Sequence, residues 1–109
     1  MKKIITLSAV CLLSLSSAAF AAEEHGKAAL EHANAAAKGA TAAECKKHAG
    51  VSLEHSLASA LVLKGAAKNH MEAASHHLEE AVNQGNLDHA DACKEHVAAA
   101  IAEIQAGNK

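Results

Sequence analysis

Eight of the nine histidines in this chain fall into four pairs with a single spacing: His25 and His32, His48 and His55, His70 and His77, His89 and His96. Histidine titrates near neutral pH and is the commonest side-chain ligand for transition metals, so the chemistry in view is reversible capture of a cation or a proton. At roughly one histidine per ten residues, chance placement would give only about one pair seven apart, so four disjoint pairs mark a repeat. Seven residues are two helical turns, which places paired histidines on one face but about 10 Å apart along the axis. Zinc or copper holds its nitrogen ligands at about 2 Å, and on one helix that requires residues three or four apart. The members of a pair therefore cannot grip the same ion. Each must find partners on a neighbouring helix.

Shorter spacings offer a few local ligand sets. His89, Cys93 and His96 stand four and three apart and form the sharpest one; Cys45 and His48 stand three apart, with Glu44 four residues before His48; Glu72 and His76 stand four apart. Neither ExxH nor HExxH occurs, which removes the signatures of a di-iron carboxylate bundle and of a helical zinc protease. The absence of CxxCH removes covalent haem. Cys45 and Cys93 admit a second reading as a disulfide, since paired cysteines are common in exported domains. A bridge closing that loop would contribute about 4 kcal/mol. Helices two and four are diagonal in a simple bundle, which counts against the bridge, because it needs Cα atoms within about 7 Å. Ligation and bridging exclude one another, and the sequence leaves both open.

The elements that must position these residues are helical. Glycines follow the histidine pairs at Gly39, Gly65, Gly85 and Gly107, where a helix C-terminus favours a left-handed residue. Thr41 with Glu44 and Asn69 with Glu72 have capping-box spacing, Asn86 is a plausible N-cap, and Glu23 with Glu24 suits a first turn. These signals predict helices over 23–38, 42–64, 69–84 and 87–106. Short turns join them into an all-α, up-down-up-down four-helix bundle; two long antiparallel rods, merged across Gly39 or Gly85, are the second choice. Expected apolar stripes are Leu53, Leu57 and Leu61, then Met71, Leu78 and Val82, then Val97, Ile101 and Ile104. A helical wheel sets the histidines about a quarter-turn from the stripe in helices three and four, and nearly opposite it in helix two. Gly50, inside helix two, costs about 1 kcal/mol relative to alanine unless it allows close helix approach.

Residues 1–21 read as an export signal. Lys2 and Lys3 form a positive start, Ile4 to Leu15 is apolar, and Ala19-Phe20-Ala21 is a small-residue cleavage site. The apolar stretch is short for a membrane span, and Cys11 follows Val10 rather than a small residue, which argues against a lipid anchor. The expected mature domain is 22–109, soluble and free of the membrane. It retains eight Lys against twelve acidic residues, no aromatic and no Arg or Pro. A nucleic-acid partner is not expected from such a surface. The core material is mostly alanine, which favours helix but buries little area.

Taken singly, a helical histidine is usually a solvated surface residue, and His76, outside the register, is read that way. The regular spacing of the other eight points instead to metal ions, with Cu(II), Ni(II) and Zn(II) suited to imidazole. The competing reading is a non-catalytic structural or interaction bundle held by Cys45 and Cys93, its histidines solvating or sensing pH. No protein partner is indicated, and no nucleophile–base arrangement suggests an enzyme.

The His-x6-His unit carries alanine three residues after its first histidine (Ala28, Ala73, Ala92, with Val51 as the variant). Glutamate precedes the second histidine at Glu31, Glu54 and Glu95, and glycine ends the helix. This pattern, over residues 23–107, resembles the small metal-binding protein family of bacterial periplasms. The resemblance implies a helical bundle that binds copper, nickel and zinc through the eight register histidines and serves metal sequestration or homeostasis. This chain departs from the pattern in its lower histidine density and in having Cys45 and Cys93.

Overall fold

A computed structural model of the chain describes the backbone of residues 2–109 and the side chains from residue 18 onward. Four helices follow one another, α1 (Lys2–Lys38), α2 (Ala42–Val62), α3 (Gly65–Asn86) and α4 (Ala90–Gly107). Neighbours in sequence pack side by side, α1 against α4 closes the ring more sparsely, and α2 meets α4 across the diagonal. The architecture is the expected all-α four-helix bundle.

Helix boundaries differ from expectation where residue type alone suggests a cap. Thr41 does cap α2, its Oγ1 accepting the Glu44 amide at 3.1 Å, while Glu44 Oε2 accepts the Ala40 amide at 2.9 Å. Asn69 and Glu72, by contrast, lie inside α3, which begins at Gly65 with φ +63°. Asn86 ends α3 rather than starting α4, and His89 occupies the N-cap position of α4 without a side-chain cap bond. Glu23 and Glu24 fall inside α1 rather than in a first turn, because no proline or glycine interrupts the alanine- and leucine-rich stretch before them. The export signal assigned to residues 1–21 has most of its side chains, including Cys11, outside the described residues. No described helix is long and apolar enough to cross a membrane.

Two of the four glycines expected at left-handed C-termini serve packing instead. A Cβ on Gly85 would meet Lys46 Cβ at 2.6 Å, and one on Gly107 would meet Met71 Cε at 3.1 Å. The left-handed turn after α3 falls to Asp88, at φ 61°, a residue whose short polar side chain tolerates that conformation.

The interior is asymmetric. Among the described residues, the four large apolar side chains that are fully buried, Met71, Leu78, Val97 and Ile104, come from α3 and α4. The first hairpin contributes Ala29, Ala33, Ala36, Ala49 and Ala60 with Ser52, Ser56 and Ser59. The stripes expected on α3 and α4 do face the core, with Val82 and Ile101 partly buried against it. That on α2 does so only at Leu53, partly buried against the core: Leu57 is 46% and Leu61 83% exposed, and the buried face runs instead through Cys45, Ala49, Ser52, Ser56 and Ser59. Small side chains win this position because α1 comes close. Ser52 Oγ donates to Ala29 O at 2.7 Å and Ser59 Oγ to Ala22 O at 3.2 Å, contacts that a larger residue in the seam would hold apart.

Cys45 and Cys93 are joined as a disulfide with Cα atoms 6.4 Å apart. The bridge spans the α2–α4 diagonal, where the alanine-rich interior brings the two helices within reach. Both cysteines are fully buried.

Candidate metal centre

The re-aimed face of α2 places its histidines beside the core rather than opposite it. His48 and His55 flank the Cys45–Ser59 face and turn toward His25 and His32 of α1, and all four rings are half-buried. His25 Nδ1 and His55 Nδ1 are 3.0 Å apart, one donating and the other accepting according to tautomer. The ring centroids of His32 lie 5.8 Å from His55, nearly parallel, and 6.2 Å from His48. The four imidazoles thus form a zigzag ladder along the α1–α2 seam. Burial, followed by the neighbouring His25 and His32 rings, lowers the His55 pKa from its ordinary value, with Glu54 opposing weakly. That keeps the ring in the neutral form a metal requires.

The second hairpin repeats the construction with different chemistry. His77 and His96 face each other across the α3–α4 seam at 6.4 Å between centroids, His70 Nδ1 meets Glu103 Oε2 at 2.8 Å, and His89 Nδ1 meets Gln84 Oε1 at 2.9 Å. Each step of seven along one helix is matched by a step back of seven on its antiparallel partner. An offset of 45 residues carries His25 and His32 onto His70 and His77, and an offset of 48 carries Cys45, His48 and His55 onto Cys93, His96 and Glu103. The molecule is therefore a duplicated hairpin, and its disulfide joins two equivalent positions.

This duplication corrects the fourfold register. His89 matches Thr41, and both occupy N-cap positions; it is exposed and bonds Gln84 rather than another imidazole. The His89, Cys93 and His96 set is not assembled, since Cys93 is bridged and buried and His89 precedes the helix. Cys45 is removed from ligation for the same reason, and Glu44 is engaged with the Ala40 amide. His76 is exposed, its ring centroid 6.2 Å from that of His77. Glu103 and Gln84 were missed by sequence reasoning, although continuing the step of seven past His96 and His77 leads straight to them.

Among the described residues, no three His, Cys, Asp or Glu side chains converge to hold one ion. What the seams offer is pairs. Two nitrogens 3.0 Å apart, each about 2.05 Å from an ion, would subtend about 95° at it. That is the cis edge of a square-planar or octahedral shell whose other positions water can fill. A tetrahedral ion would need the nitrogens about 3.3 Å apart, a small opening of the same pair.

A family model, that of the small metal-binding protein, matches residues 1–107. The chain belongs to that family. No curated protein and no solved structure matches it. Its membership supports the binding of metal ions as the general chemistry of the chain.

Proposed function

We propose that this small metal-binding protein is exported to the periplasm after loss of residues 1–21, and that residues 22–109 there take up Cu(II), Ni(II) and Zn(II) as exchangeable cargo in metal homeostasis, without catalysis. The observation that supports this most is the 3.0 Å approach of His25 Nδ1 to His55 Nδ1 on a half-buried seam. Two ligands and water make an open shell, so ions would enter and leave readily, as storage or buffering requires. The register histidines His25, His32, His48, His55, His70, His77 and His96 carry the binding; His89 would contribute at most a single exposed nitrogen.

Titrating the purified protein with each ion, followed by calorimetry and by thermal melting, tests the reading. An ion present at 100 times its Kd and bound only by the folded state would stabilise it by about 2.7 kcal/mol. His25→Ala with His55→Ala should remove the tightest copper event. Unchanged melting with all three ions would instead favour the bundle as a disulfide-held structural or interaction module. Protonation competes with the metal, so affinity should fall steeply between about pH 7 and 5.

A further inference from the structure

The two hairpins present the same position in two chemical forms. His55 and Glu103 are equivalent under the duplication, and each closes on the first histidine of its hairpin, His25 at 3.0 Å and His70 at 2.8 Å. One pair is nitrogen with nitrogen, flanked by two more imidazoles. The other is nitrogen with carboxylate oxygen, both side chains about one-third to two-fifths exposed (41% for His70, 32% for Glu103).

We propose that His70 and Glu103 form a second cation site of a different class from the α1–α2 ladder, one whose mixed nitrogen and carboxylate donors take Zn(II). The proposal rests on the metal-binding reading and divides it between the seams. Replacing an imidazole by a carboxylate costs Cu(II) most, because its affinity leans most heavily on nitrogen donors, whereas Zn(II) accepts carboxylate oxygen at about 2.0–2.2 Å and has no d-electron geometry to satisfy. The carboxylate also brings a full negative charge to a site that in the first hairpin is neutral, which favours any dication. An ion entering the second pair takes the Nδ1 lone pair and a carboxylate oxygen and completes its shell with water, while the neutral ring carries its one proton on Nε2, so the exchange needs a change of tautomer and no net loss of a proton. A binary division follows: copper fills α1–α2 first, and zinc fills the His70–Glu103 pair first.

The test is site-resolved nuclear magnetic resonance of the imidazole rings in the purified, oxidised protein, titrated separately with Zn(II) and Cu(II). The expected result is that substoichiometric Zn(II) shifts His70 ahead of His25 and His55, while substoichiometric Cu(II) broadens His25 and His55 ahead of His70. Glu103→Gln keeps an acceptor for the His70 N–H but not the carboxylate, so it should weaken Zn(II) at His70 by at least about tenfold and leave copper on the first hairpin unchanged. Glu103→His should convert the site, drawing Cu(II) to His70. If both ions bind but fill the seams in the same order, and Glu103→Gln changes neither, the division is wrong and the metal-binding reading stands. If neither ion moves any ring, both fail.

Discussion

Opening the Cys45–Cys93 bridge should cost this bundle a large share of its stability. The cross-link closes a loop with a sequence separation of 48 residues, and the loop-entropy relation assigns about 4 kcal/mol to a closure of that length. A domain of some 90 residues has about 5–13 kcal/mol in total. Here the rest of the account is thin, since among the described residues only Met71, Leu78, Val97 and Ile104 are large, apolar and fully buried. At about 4–8 °C per kcal/mol for a domain of this size, the melting temperature should fall by roughly 15–30 °C. The measurement is calorimetric or dichroic melting of the oxidised protein, of the protein in a non-chelating reductant, and of the Cys45→Ala, Cys93→Ala double variant, all without metal. The two reduced forms should agree to within the small cavity left by the missing sulfurs. A loss below about 1 kcal/mol in both would refute the reasoning, because the hairpins would then be held together by packing that the alanine-rich interior does not supply.

The glycines should divide by their surroundings. Gly50→Ala meets nothing within 4 Å and should stabilise α2 by about 1 kcal/mol, whereas Gly85→Ala drives a methyl to 2.6 Å from Lys46 Cβ and should destabilise by about 1–3 kcal/mol; denaturant melts giving both the same sign would overturn the packing argument. The buried serines should divide likewise: Ser52→Ala loses the bond to Ala29 O and should cost about 1 kcal/mol, while Ser56, whose Oγ has no partner, should tolerate alanine at no cost or with a gain. Stability without metal should also depend on pH through His55. Its folded pKa lies below the unfolded value, so the unfolded chain takes up the proton first, and stability present above about pH 6.5 is lost as pH falls below it. His55→Gln should flatten the melting temperature between pH 7 and 5, and an unchanged slope would exclude His55 as a source.

Much of the architecture was legible because helices announce themselves locally. Thr41 and Glu44 marked a real boundary, and the stripes through Met71, Leu78, Val97 and Ile104 marked real core. The α2 stripe held at Leu53 but failed at Leu57 and Leu61, because the interface was chosen by size, and Ser52, Ser56 and Ser59 look like surface residues to any polarity pattern. The histidine spacing correctly demanded partners on a neighbouring helix but could not say which. That followed from antiparallel pairing within each hairpin, a tertiary fact. Pairing histidines with histidines also hid Glu103 and Gln84, which hold the same geometric step with different chemistry. Cys45 and Cys93 stayed ambiguous in sequence because the distance across a bundle diagonal depends on the volume of everything between.

The slender wall between the first two helices gives interior volume an outward readout. With alanine and serine at the contact, the backbones lie near enough for short aromatic side chains rooted on separate helices to touch, so ligand spacing is set by what is missing underneath. A single bulky replacement there, such as Ser52→Leu, would act like a wedge in a hinge, prising the rings apart without altering one donor atom. Tuning of ion capture in such a scaffold can therefore proceed through buried methyl groups that no cation ever meets.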